Sequence, residues 1–106
     1  MAFVNITIFE NPQDISWRVV DATEPDEQFY GTLPGKYDEA KSFMQFFNME
    51  SGLWTFVLSR ESLAANAVAE LGTINMVTGS LEIRGRLSFP LNSISTTEAA
   101  LVLLTN

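Results

Sequence analysis

Four carboxylates, Asp21, Glu24, Asp26 and Glu27, fall within seven positions of the stretch DATEPDEQ, on either side of Pro25. Oxygen ligands this dense invite two chemical readings. A calcium loop needs oxygens spaced to wrap one ion, a glycine for the tight turn and a closing bidentate carboxylate. DATEPDEQ has no glycine, and its proline stiffens the middle. A catalytic pair needs two carboxyl groups opposed across a cleft, with one pKa raised by burial. Four acids in one polar segment point to hydration instead. The segment therefore reads as a solvated turn or as an electrostatic handle for a basic protein partner, with metal binding and carboxylate catalysis as the sharper alternatives.

Other routes to catalysis are narrow. The chain has no histidine and no cysteine. Imidazole and thiolate nucleophiles, His-ligated metals and cysteine zinc sites are excluded with them. Without an imidazole, stability is expected to change little between about pH 6 and 8. The segment Gly31-Thr32-Leu33-Pro34-Gly35-Lys36-Tyr37 resembles a phosphate cradle but has three residues between its glycines and a tyrosine after the lysine. A P-loop needs four residues there and Ser or Thr after the lysine. Lys36 and Lys41 have acidic neighbours in Asp38 and Glu39 and read as surface cations. Arg84 and Arg86, with Glu82 close by, suit ordinary cross-strand pairing. No catalytic residue, metal ligand or cofactor is assigned.

The formal net charge is −7, and residues 1–50 carry most of it, with nine acids against three bases. A negative potential of this kind disfavours direct binding to nucleic acid and to anionic membranes. The longest apolar run, Ala99 to Leu104, is far shorter than the roughly 20 residues of a membrane span. The start MAFVNITIFE lacks the pattern of a secretory leader. A soluble cytoplasmic protein is the expectation. The 106 residues, 46% apolar and 18% charged, suit one compact domain over residues 1–106.

The elements that would hold these residues follow from periodicity. Val4, Ile6 and Ile8 alternate with Asn5 and Thr7, and Ile15, Trp17 and Val19 with Ser16 and Arg18, which predicts two strands joined as a hairpin through Asn11-Pro12. Gln28 to Leu33 is a short third strand. Tyr37, Ala40, Phe43, Met44 and Phe47 recur at spacings of three and four, which predicts a helix over Lys36 to Asn48, stopped by Ser51-Gly52, with Phe46 at the margin of its apolar stripe. Leu53 to Ser59 reads as a buried strand. Arg60 to Leu71 fits a helix or a strand, and its alanines favour helix. Thr73 to Thr78 and Leu81 to Phe89 flank Gly79-Ser80 as a hairpin, and Pro90 ends the second strand. Ser95 to Glu98 has a capping-box pattern that predicts a short terminal helix, although AALVLL also suits a buried strand.

The expected fold is α+β: a mostly antiparallel sheet of about five or six strands, the 36–48 helix on one face and one or two shorter helices. The expected function is a non-catalytic acidic binding or regulatory module for a basic protein partner, contacting it through Asp21, Glu24, Asp26 and Glu27. A structural subunit forming a homo-oligomer is the alternative. Phe43, Met44, Phe46, Phe47 and Met49 read first as core, and Phe46 joins the partner-binding residues if it and Met49 are exposed together as an apolar patch.

Overall fold

The computed structural model describes residues 1–49, 52–89 and 97–105, with the backbone alone for residues 24–29 and 105. Two four-stranded antiparallel sheets face each other. One has the order β4-β1-β6-β7, from Ser42–Phe47, Ala2–Glu10, Asn66–Ile74 and Leu81–Ser88. The other has the order β3-β2-β5-β8, from Glu24–Gly31, Ile15–Asp21, Gly52–Arg60 and Glu98–Thr105. The only helical turn among the described residues is a 3₁₀ turn, Pro12–Asp14. No helix among them is long and apolar enough to cross a membrane.

The expected α+β class is therefore corrected to all-β, with eight strands among the described residues. Residues 36–48 form no helix: Ser42–Phe47 is an edge strand paired with β1, Ala2 opposite Phe47 and Phe3 opposite Phe46. An edge strand with apolar residues on both faces contains short runs that fit any period, and the spacing of three and four arose in that way. Residues 66–74 are likewise a central strand. Ala65, Ala67, Ala69 and Leu71 are all buried, so the period-2 pattern outweighed alanine's helix preference of a few tenths of a kcal/mol per residue. The terminal segment is β8, paired with β5 from Gly52 opposite Thr105 to Ser59 opposite Glu98. Ser51, Pro90, Ser95 and Thr96, assigned boundary roles above, lie outside the described residues.

The strands β1 and β2 are present as expected but do not form a hairpin. Asn11, at φ 50°, and the 3₁₀ turn carry the chain from one sheet to the other. β5 and β6 make the same crossing in reverse, so β1 pairs with β6 and β2 with β5. At this corner Glu61 N–H donates to the Asp14 carbonyl at 2.9 Å. The buried Arg60 guanidinium donates to the Ala65 carbonyl at 3.0 Å and lies 4.3 Å from the Phe89 ring centroid. β6 and β7 do form a hairpin, but not through the expected Gly79-Ser80 turn between strands 73–78 and 81–89: β6 ends at Ile74 and pairs it with Leu81. The connection covers residues 75–80 and is held by Gly79 N–H to the Asn75 carbonyl at 2.7 Å.

The core follows the pleat. Val4, Ile6 and Ile8 meet Ile15, Trp17, Val19, Phe56, Leu58 and Leu71 between the sheets. Phe47 lies 5.9 Å from Trp17, 4.8 Å from Tyr30 and 6.1 Å from Phe56, ring centre to ring centre. One polar link is buried among them: Trp17 Nε1–H donates to the Tyr37 hydroxyl at 2.8 Å. Burial raises the Tyr37 pKa above the ordinary 10.0, against the smaller opposing effects of Trp17 and nearby Thr32. A raised pKa in the folded state stabilises the protein below the unfolded value and is lost as pH rises through the folded one. Tyr37→Phe should cost about 1–3 kcal/mol at pH 7, because the Trp17 N–H loses its acceptor in the core. The same change should flatten the loss of stability above about pH 10, as urea midpoints at pH 7 and 11 would register.

Candidate interaction surface

The acidic stretch spans a tight turn and an edge strand. Asp21 ends β2 opposite Glu24, the first residue of β3, with Ala22 and Thr23 between them. Asp21 Oδ1 accepts from Thr23 N–H at 2.8 Å and from the Thr23 hydroxyl at 2.7 Å. These bonds, the backbone one first, hold the Asp21 carboxyl below its usual pKa. The side chain thus shapes the turn. Glu24, Asp26 and Glu27 follow along β3, and their side chains lie outside what is described.

Their backbone placement supplies a role that sequence reasoning missed. β3 is the outer strand of its sheet, with two register irregularities against β2. Proline, charge and bulges are the features that stop an exposed strand edge from recruiting another strand. β7, an outer strand of the other sheet, has comparable protection: a register shift beside Arg84, with Glu82 and Arg86 on the same strand. Arg86 makes a cross-strand ion pair, but with Glu70 on β6 at 3.1 Å, whereas Glu82 pairs along its own strand with Arg84 at 3.5 Å.

Phe46 occupies a different surface. The ladder sets Phe46 beside Phe3, Phe3 beside Gly72, and Gly72 beside Ile83, so these residues cross the outer face of the β4-β1-β6-β7 sheet in one row. The Phe3 and Phe46 rings are 6.5 Å apart. Phe3 is buried although it points away from the core, because Gly72 leaves room beneath its ring. Phe46 is 46% exposed and Ile83 61%, with Met44 and Leu81 half exposed beside them. Of the aromatic and methionine group on 43–49, Phe43, Phe47 and Met49 pack on the core, whereas Met44 and Phe46 face water. The pairing of Phe46 with Phe3 had no signature in the sequence, since it joins residues more than 40 positions apart.

Comparison with protein-family models, curated proteins and solved structures finds no match. The surface itself must carry the functional reading. Among the described residues, no three acidic side chains converge as a metal site would need. A shallow cleft of about 240 Å³ borders the apolar row near Met1, Met49, Asn75 and Met76. What the face offers is apolar contact area bounded by the Arg86–Glu70 pair, an arrangement suited to protein association.

Proposed function

We propose that this chain is a non-catalytic assembly subunit, which associates with further copies of itself through apolar surface that its own sandwich leaves uncovered. The row of Phe46, Phe3 and Ile83, with Met44 and Leu81 beside it, is the observation that supports this reading. Large apolar side chains gathered on the outer face of a sheet mark an interaction site, whereas singly scattered ones need no explanation. A reducing cytoplasmic setting suits a chain without cysteine.

The second reading is capture of a basic partner through Asp21, Glu24, Asp26 and Glu27, favoured by the placement of three of these acids along an outer strand. Light scattering between about 1 and 100 µM tests both. Under the assembly reading the mass rises with concentration, and Phe46→Ser weakens association about tenfold, as loss of an aromatic anchor does. A monomer throughout that range overturns it. Under the second reading a basic polypeptide is captured at low salt. Replacing the four acids together by Asn or Gln abolishes that capture and leaves self-association intact.

A further inference from the structure

The outer strands of the two sheets are not equally guarded. β3 has Pro25, three carboxylates and two irregularities, and β7 has charges and a bulge. β4 is short, and beside it the Lys41 ammonium lies 5.3 Å from the Phe43 ring centroid and pairs with Glu39 at 3.1 Å. β8 has none of these features. Its eight residues contain no proline or glycine, and it pairs with β5 without a register shift. Its one charge, Glu98, stands at the first position and is already bound to Arg18 at 2.9 Å. Among the described residues no strand bonds its other side.

Both faces of β8 also have apolar area left unmet. Val102 and Leu104 point outward, 52% and 63% exposed, next to the half-exposed Leu53. Leu101 and Leu103 point inward yet are only partly buried. An added strand on this edge would cover both faces at once, whereas a partner resting on one face would leave the other open.

We propose that the occupant is β8 of a second copy, paired antiparallel about a two-fold axis at Val102, so that two four-stranded sheets become one of eight strands. The inference rests on the assembly reading but uses a different surface from Phe46. Strand chemistry selects the second copy and the register. A two-fold axis normal to the sheet keeps outward residues opposite outward residues. With Val102 on the axis, Ala100 meets Leu104 of the other copy, small against large, and Leu101 meets Leu103. Glu98 then falls beyond the ladder at each end, well away from its counterpart. Shifting the axis to Leu101 would set Glu98 against Leu104 and place a charge in the apolar row.

Because the chain has no cysteine, single thiols report the register directly. Paired residues across an antiparallel ladder lie about 4.5–5.5 Å apart at Cα, within disulfide range. Under mild oxidation, Val102→Cys should form a covalent dimer at least about tenfold faster than Val77→Cys, a thiol on the exposed 75–80 connection, because pairing raises the effective concentration. Mixing Ala100→Cys with Leu104→Cys protein should cross-link faster than either variant alone. Near-UV circular dichroism confirms that each variant is folded. Association of the native chain with no excess rate at Val102 and none in the mixture overturns the strand pairing and leaves the assembly reading standing. A native chain monomeric up to about 100 µM overturns both.

Discussion

Phe47→Ala is expected to destabilise the protein by about 3–5 kcal/mol, and Phe46→Ala, one position away, by less than about 1 kcal/mol. Phe47 points inward from β4 and touches rings from three other segments, Trp17, Tyr30 and Phe56. Truncation removes a buried aromatic and leaves a cavity whose walls belong to two hydrogen-bonded sheets, which can collapse only in part. Phe46 points outward and has already left about half its surface in water. A helix over 36–48 would turn these neighbours by only about 100° and give graded costs, whereas a strand sends them to opposite faces. Urea unfolding of both variants decides the matter. Equal costs would contradict the register of β4 on β1.

The second large effect is expected at Gly72. A methyl group there would run into the Glu82 carbonyl oxygen and come within 2.8 Å of Phe3 Cε1. The ring can turn, but the carbonyl belongs to the neighbouring strand and is fixed by the ladder. Gly72→Ala should therefore cost about 3 kcal/mol or more, at the upper end of overpacking effects. Gly85→Ala offers the comparison, because its added carbon would meet the Leu101 side chain, which can change rotamer. That loss should stay within about 1–3 kcal/mol. Adding Phe3→Ala should not rescue Gly72→Ala. Rescue would show that the ring, and not the β7 backbone, sets the limit. Gly72 thus joins two properties, since the space that admits β7 closely also seats Phe3 under the exposed Phe46 and Ile83.

Much of the strand content was legible in the chain. The alternations at Val4-Ile6-Ile8 and Ile15-Trp17-Val19 identified buried faces correctly, because a strand with one wet side records its orientation in every second residue. The segments 36–48 and 96–104 resemble helices because apolar residues on both faces remove that alternation, and 60–71 because the alternate positions that carry it are mostly alanines, which suit a helix as well. The candidate site was legible only as residue types. Phe46 was singled out, but its outward direction depends on pairing with Phe3. DATEPDEQ drew attention by its charge, while its place at a sheet edge depends on β2 lying between it and β5.

By itself the sequence determined the exclusions, a chain without imidazole or thiol and with a negative potential, together with the position of most strands. Those properties are local or additive, so neighbouring residues and simple totals suffice. Tertiary structure alone decided which strands share a sheet, that β1 and β2 part company at Asn11, and that β8 is an outer strand among the described residues. Pairing in a sandwich joins residues far apart along the chain, and an edge is defined by the neighbour a strand lacks.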